Sequence, residues 1–415
     1  MTSNELLTNK MGTLTWVGAP FFLQQRIMAY LLDRYDVGFP DPRLSEPDGF
    51  LAKGGGLEPE WLLNAYFMGI FPWYDDETGA PYWYSLDPRM VLMTEDFRPS
   101  KSLRRTLQSG RFEVRVDTCF REVMELCASV ERPGQSLGSW ISQNFMEAYC
   151  RLHELGFAHS FETFEDGRLV GGLYGVSLCD WFSGESMFHL VRDASKVAFA
   201  RMVEFAQLHG FRFIDAQQPT PHLASLGAKP TPRELFLKMM EENDLQKTYR
   251  GRWRNNTVVL LIGGNEGDRM SLLVRAMIEI GKRIGMVSLL SSVYETEPWG
   301  FDASQNFLNQ AIVVDTDLSA EEVLTQALEI EKELGRQRNG EGYASRPMDI
   351  DLIFFNSEVM YSERLTIPHP RMDKRRFVLE PLAEIIPNFL HPKLKKTVRE
   401  LLEECADTGA VKRFF

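Results

Sequence analysis

Asp349 and Asp351 stand two apart in "SRPMDIDLIFF" (345–355), an otherwise apolar run. Residues two apart in a strand share a face, so both carboxylates point the same way. Buried carboxylates are costly unless paired or bound to a cation. Arg336, Arg338 and Arg346 flank a glycine-rich loop just before them, and His369, Arg371, Lys374, Arg375 and Arg376 follow. Paired acids with arginines opposite fit group transfer from a magnesium nucleotide. The cation takes one or two carboxylates plus phosphate oxygens, and guanidinium groups offset the phosphate charge. The plainer alternative is a salt-bridge network, which poorly explains so many charges of both signs on one short segment. The nearby "IGGNEGDR" (262–269) lacks the Gly-Lys-Ser/Thr of a phosphate loop and is expected to be a turn closing a strand.

A second constellation lies earlier. Asp215 and Gln217 are also two apart in a short apolar strand, and Glu185 follows a glycine among aromatics in "WFSGESMFH" (181–189). Acid and amide on one face could orient an amine and hydrogen-bond a developing charge. Polar residues satisfied by backbone groups are the plainer reading of each taken alone. His159, His189 and His222 show no ligand spacing and are not expected to bind metal. The five scattered cysteines form no CxxC pair, which suits free thiols in a reducing compartment.

Such sites need elements to hold them. At 415 residues the chain is too long for one ordinary core, so two domains are expected. With 44% hydrophobic and 25% charged residues and no repeats, its composition is globular. A net charge of −12 argues against a protein that coats nucleic acid, though not against a local basic groove. No apolar run approaches the ~18 residues of a membrane span, and the first residues do not read as a signal peptide. A cytoplasmic protein with no membrane partner is therefore expected. Between 243 and 257 the sequence turns polar and basic, then opens into "VVLLIGG", where a new domain begins. The expected division is an extension of unassigned role at 1–37, a domain at 38–243, a linker at 244–256 and a domain at 257–415. In the last, strands near 258–263, 287–295, 309–315 and 349–355 alternate with helices near 268–284 and 320–334. Before it, strands are expected at 159–164, 169–178 and 181–184, helices at 142–155 and 194–209, and a short strand in "FRFIDAQ" (211–217). Residues 20–35 read as one further helix. The pattern predicts α/β and α+β domains with helices covering sheets.

The C-terminal half resembles 6-hydroxymethyl-7,8-dihydropterin pyrophosphokinase of the folate pathway. The resemblance runs through "GGNEGDR", "YETEPWG", "FLNQAIVV", "EIEKELGR", "RPMDIDLIFF" and "TIPHPRM…RRFVLEPL", in the family's order. It implies a ferredoxin-like α/β domain that moves pyrophosphate from MgATP to the pterin. On it, Asp349 and Asp351 would hold Mg²⁺. Arg336, Arg346 and Arg375 would contact phosphates, the first two in catalysis, and Arg338, Thr366 and His369 would complete the ATP site. The pterin would lie between Phe377 and Tyr343 or its loop, beside Phe307. Asn309 and the backbone of Thr296, Glu297, Pro298 and Trp299 would read its edge. A flat heteroaromatic ring suits stacking, and an Asn amide offers both donor and acceptor. Tyr343 stands where a Trp is frequent in the family, and Pro347 where a Thr is.

The N-terminal half resembles leucyl/phenylalanyl-tRNA–protein transferase. "DGFLAKGGGLEPEWLLNAYFMGIFPWY", "WYSLDPR", "GSWIS", "AYCRLHELGFAHSFE", "LVGGLYGV", "GESMFH", "ASKVAFA" and "IDAQQPTPHLASLGA" carry it, again in order. The resemblance implies an acetyltransferase-like (GNAT-type) mixed-sheet domain after a smaller one. It also implies transfer of Leu or Phe from Leu-tRNA or Phe-tRNA to the N-terminal amine of proteins beginning with Arg or Lys. An aminoacyl ester is already activated, so no cofactor is expected here and the work is positioning. Asp215 and Gln217 would assist amine attack, Asp215 as base or as orienter, and Glu185 would hold the acceptor or the terminal adenosine. Trp73 would stack on that adenine. Leu173, Phe182, Met187 and Ile214 would form an apolar cavity for the Leu or Phe side chain, Met adapting to either shape. Two rival readings of this half are a non-catalytic tRNA- or peptide-binding module and a CoA-dependent N-acetyltransferase. The latter's Q/RxxGxG/A loop is missing from 160–200.

Overall fold

In the computed structural model the chain forms two compact units, residues 1–199 with 213–252 and residues 200–212 with 253–415. The structure describes residues 30–75, 78–129, 141–242, 245–298, 303, 305–336 and 344–414, with two short paired strands β1 (Leu7–Thr8) and β2 (Leu14–Thr15). Both units are mixed α/β. The helix expected at 20–35 falls largely outside the described residues. Its described end is a strand instead, β3 (Tyr30–Leu32), which pairs in parallel with β4 (Phe50–Gly54).

The first unit holds two sheets. Strands β3, β4, β5 (Phe71–Asp75) and β6 (Pro81–Tyr84) form one, in the order β3-β4-β6-β5. The larger has β7 (Arg89–Met93), β8 (Glu113–Val116), β9 (Ala158–Glu165), β10 (Arg168–Leu178), β11 (Trp181–His189), β12 (Phe213–Asp215) and β13 (Lys229–Thr231). Their order is β13-β7-β12-β11-β10-β9-β8, antiparallel except between β11 and β12. The helices are α1 (Pro59–Phe67), α2 (Lys101–Gln108), α3 (Phe120–Ser129), α4 (Gln143–Glu154), the start of α5 (Ala194–Leu208), whose residues from 200 on belong to the second unit, α6 (Pro221–Ser225) and α7 (Arg233–Glu241). Trp61 of α1, Val123 of α3, Phe145 of α4 and Phe236 of α7 share a core with Tyr174, Val176, Trp181 and Phe213 from one face of the large sheet.

The strand expected at 181–184 runs on to His189 because a bulge hides its continuation. Tyr174 pairs with Ser186 but Gly175 pairs with Gly184, so Glu185 is an extra residue in β11. A bulge resets which face each side chain takes. Ser183, opposite Val176, keeps to the face under α1, α3 and α4, and Glu185 follows it there by alternation. Met187, opposite Leu173, is switched to the other face, where Phe182 and Ile214 also point.

In the second unit, β14 (Asn256–Gly264), β15 (Met286–Leu290), β16 (Tyr294–Thr296), β17 (Phe307–Thr316), β18 (Asp349–Phe355) and a late strand form one antiparallel sheet. The strands β19 (Met360–Tyr361) and β20 (Thr366–Ile367) pair separately, and the late strand is β21 (Val411–Arg413). The order is β18-β14-β17-β16-β21, with β15 also on β17. The single strand expected at 287–295 is two, β15 and β16. The Ser291 hydroxyl takes the Ala311 N–H at 3.0 Å, a side-chain acceptor interrupting the ladder there. "IGGNEGDR" does end a strand, and Asp268 caps α8 (Arg269–Arg283) through the Ser271 N–H.

Period-two alternation along β14 builds two cores from one strand. Val258, Leu260 and Ile262 pack with Leu273 and Ile280 of α8 and Val323 and Ile330 of α9 (Ala320–Glu333). Val259 and Leu261 pack with Val378 and Leu382 of α10 (Arg376–Ile385) and Leu401 of α11 (Val398–Glu403). Leu208, from the segment 200–212, is fully buried in this second core. Its neighbour His209 places Nε2 3.0 Å from both oxygens of Asp315. Leu208→Ala is expected to cost about 2–5 kcal/mol of this unit's stability. Urea unfolding reports it as an earlier transition; an unshifted one would show the segment to be loosely held.

Candidate active sites

Arg89 opens β7 and Asp215 ends β12, and both are 1% exposed. They meet through two parallel bonds, Nε to Oδ1 at 2.8 Å and Nη2 to Oδ2 at 2.6 Å. The Ser183 hydroxyl donates to Oδ2 at 3.2 Å and the Gln217 backbone N–H to Oδ1 at 3.1 Å. A carboxylate offers about four lone-pair sites, and all are taken. The guanidinium lies over the rings of Phe71 and Phe236, 4.6 and 4.9 Å from their centroids.

Gln217 has a left-handed backbone, φ 49°, and its side-chain amide donates to Glu185 Oε1 at 2.8 Å. Tyr149 of α4 donates to Oε2 at 3.1 Å, and its hydroxyl is hydrogen-bonded to that of Tyr66 on α1. Burial first, and the Asp215 charge, push the Glu185 carboxyl up to about 7, against the donors Tyr66, Tyr149 and Gln217. Burial also drives both tyrosines well above their usual range, so their hydroxyls keep their protons. Glu185 is therefore the group here able to exchange a proton near neutrality.

Glu185, Asp215 and Gln217 thus form one hydrogen-bonded group. Leu173, Phe182 and Ile214 are buried, and Met187 half-buried, on the opposite face of the same sheet. A Cβ on Gly175 would lie 2.1 Å from the Ser183 carbonyl oxygen and 2.6 Å from the Phe182 ring, so glycine there admits both. Trp73 is half-buried at an irregularity in the β5–β6 pairing, edge-on to Tyr84 at 5.1 Å. Elsewhere, Asp117, His153 and His159 lie close enough together to hold a metal ion. The His159 Nδ1 is already 2.8 Å from Asp117, and the His153 Nδ1 2.8 Å from the Ala158 carbonyl, as in a buried hydrogen-bonded cluster.

In the second unit, Asp349 pairs with Gly263 and Asp351 with Leu261, which puts both acids on the α10 side of the sheet. A cavity there is lined by Asp349, Asp351, Arg346 and Arg375, and by Thr296, Glu297, Phe307, Asn309 and Phe377. Gly263 also lines it; a Cβ at that position would lie 2.2 Å from the Asn309 side-chain oxygen. Glycine thus leaves Asn309 its place, where Nδ2 donates to Thr296 Oγ1 at 2.7 Å. Arg336 donates to Glu331 at 2.5 Å and pairs with one oxygen of Asp349, and Arg346 pairs with the other. Among the described residues no hydrogen bond reaches the Asp351 carboxylate. Burial first, then the Asp349 charge, push its carboxyl up to about 7 against Arg346 and Arg375. Two acids on one face, one of them unpaired and resisting ionisation, suit a divalent cation.

Arg375 is buried at the N-terminus of α10, its guanidinium 5.6 Å from the Phe377 ring. The Arg371 N–H donates to His369 Nδ1 at 3.4 Å, which leaves the ring proton on Nε2. Burial first, then Arg375 and Arg371, lower His369 to about 4, so the ring is neutral at pH 7. Thr366, His369 and Pro298 are described but do not line the cavity. Arg338, Trp299 and Tyr343 lie outside the described residues.

Sequence reasoning missed Arg89, Tyr66, Tyr149, Gly263 and Glu331. Arg89 stands in "WYSLDPR", but nothing local ties it to an aspartate 126 positions on.

The profile of the leucyl/phenylalanyl-tRNA protein transferase family matches residues 91–241, and that of its N-terminal domain residues 55–87. The 7,8-dihydro-6-hydroxymethylpterin-pyrophosphokinase (HPPK) profile matches residues 259–387. The leucyl/phenylalanyl-tRNA–protein transferase of Desulfatibacillum aliphaticivorans is 53% identical over 216 residues, 52% of this chain and 91% of its own. That of Dechloromonas aromatica is 54% identical over 200 residues, 48% of this chain and 85% of its own. A solved structure of Plasmodium falciparum HPPK-DHPS aligns at TM-score 0.30 and 17% identity, over 36% of this chain and 44% of that one. So slight a likeness carries no argument.

Proposed function

This chain belongs to the leucyl/phenylalanyl-tRNA–protein transferase family, and we propose that it is bifunctional. Its first unit moves Leu or Phe from aminoacyl-tRNA to the N-terminal amine of proteins beginning with Arg or Lys. Its second moves pyrophosphate from MgATP to 6-hydroxymethyl-7,8-dihydropterin. We read the first as an acetyltransferase-like domain (38–243) and the second as a ferredoxin-like one (257–415), acting in the cytoplasm.

The observation that carries the first activity is the Glu185–Gln217–Asp215 group. Attack on an ester needs an amine freed of its extra proton and aimed at the carbonyl. Glu185 takes that proton and returns it to the tRNA ribose oxygen as the ester C–O bond breaks and the new amide C–N bond forms; Gln217 holds Glu185 and the acceptor, and Asp215 fixes Gln217. Trp73 stacks on the terminal adenine, and the Leu or Phe side chain passes the bulge at Glu185, where β11 changes face, to reach Leu173, Phe182, Met187 and Ile214 on the other side of the sheet. No cofactor enters this step.

The second activity rests on the cavity around Asp349 and Asp351. These two would hold Mg²⁺, which when bound supplies charge neutralisation at the phosphates. Arg336, Arg346 and Arg375 neutralise phosphate oxygens, and Arg338, Thr366 and His369 complete the ATP site. Phe307, Phe377 and Tyr343 flank the pterin, with Asn309 and the backbone of Thr296, Glu297, Pro298 and Trp299 at its edge.

Labelled Phe is expected to pass from Phe-tRNA to a peptide beginning with Arg or Lys without ATP, and poorly to one beginning with Ala or Glu. Salt weakens tRNA binding because counterions released into a more concentrated solution gain less entropy. Equal transfer to all four peptides overturns the acceptor rule, and transfer to none overturns the activity.

A further inference from the structure

We propose that Arg89 is a positioning residue of the transferase site: its fork holds both oxygens of Asp215, and through them the turn that aims the Gln217 amide at Glu185. The inference rests on the transferase reading above.

Stability alone does not explain the pair. A buried ion pair is often matched or bettered by apolar residues of similar volume. This one also leaves Nη1 of Arg89 buried without a hydrogen bond among the described residues. The geometry does explain it. Gln217 occupies a backbone region that non-glycine residues rarely adopt, so something must hold it there. Asp215 Oδ1 accepts the Gln217 N–H. Met90, next to Arg89, donates to the Gln217 carbonyl at 2.9 Å and accepts from the Ala216 N–H at 2.9 Å. The start of β7 therefore grips this turn by main chain and by side chain, and Gln217 then reaches Glu185. The polar and charged groups around Glu185 are the Tyr66 and Tyr149 hydroxyls, the Gln217 amide and the Asp215 carboxylate. Of these, Arg89 holds the Asp215 carboxylate directly and the Gln217 amide through it. Lysine cannot substitute, because it offers a point charge where the carboxylate is met by a planar fork.

The test uses the full chain with Arg89→Lys and with the double variant Arg89→Met/Asp215→Asn, which removes both charges. Arg89→Lys is expected to lower kcat for Phe transfer on the order of 100-fold, as small misplacements do, with KM for Phe-tRNA within about threefold. Its pH–rate midpoint should move up, because a Glu185 carboxylate without its amide donor holds its proton to higher pH. The double variant should recover the melting temperature but not kcat. A wild-type kcat with an unmoved midpoint in Arg89→Lys overturns the proposal. So does a double variant whose rate returns with its stability. A wild-type protein that transfers nothing refutes the activity instead. The Glu185 carboxyl titration, followed by infrared difference against Glu185→Gln, then decides the clamp in Arg89→Lys, which keeps the Asp215 charge: an upward move supports it, and none refutes it.

Discussion

Asp351→Asn is expected to lower pyrophosphoryl transfer on the order of 10³-fold while raising the melting temperature of the nucleotide-free protein. The two effects have one cause. Asp351 is pushed up to about 7 by burial and by Asp349, above the ordinary carboxylate value of about 4. The folded state therefore holds this proton more tightly than the unfolded chain. Stability associated with it is intact below about pH 4 and is lost as pH rises through about 7. Asn carries no charge, so its gain should be larger at pH 8 than at pH 5. MgCl₂ should raise the melting temperature of the wild type more at pH 8 than at pH 5, and that of Asp351→Asn little at either. Asp349→Asn should lose a similar share of activity but melt lower, because Arg336 and Arg346 both lean on Asp349. A destabilised Asp351→Asn whose folded fraction keeps full activity would sink the cation-binding assignment.

Glu185→Gln is the second large effect. A positioned general base contributes roughly 10²–10⁴-fold, and transfer should fall by about that much while the peptide KM changes little. In the wild type the rate should climb through about pH 7 as Glu185 ionises, since its carboxyl is pushed up to about 7. The glutamine variant should lack that rise. The folded pKa of Glu185 is raised, so by the same linkage its replacement stabilises the protein above pH 7 rather than below pH 4. A flat wild-type profile between pH 5.5 and 8.5, or a variant that transfers at the wild-type rate, would place the base elsewhere.

What the sequence disclosed follows from the range of its signals. Alternation over a few residues announced β14, β17 and β18, and apolar spacing announced α8 and α9. The same period put Asp349 and Asp351 on one face, as the register has it. Signals failed where one residue broke the period or where a partner came from far away. The extra residue at Glu185 hid half of β11, and the Ser291 hydroxyl split a strand in two. Tyr66, Arg89 and Tyr149 meet their carboxylates across long stretches of chain, so no local pattern could link them. The pairing of Asp349 with two arginines is likewise tertiary. Of the two acids, Asp349 sits in the ion-pair network that the plainer reading expected.

The segment 200–212 changes what counts as half of this protein. A gene truncated after residue 250, or started there, follows the polar stretch in the sequence but not the grouping of its contacts. A C-terminal fragment from 253 onward would be made without Leu208 and His209, leaving a hole in the core that holds Val259 and Leu261 and the Asp315 carboxylate without its imidazole. A nick at the same place in the folded chain removes no atoms from either core. Separately expressed halves should therefore aggregate or melt early where a nicked full-length chain does not. Co-expressing the halves, rather than purifying each alone, is the way to ask whether the two chemistries can be parted.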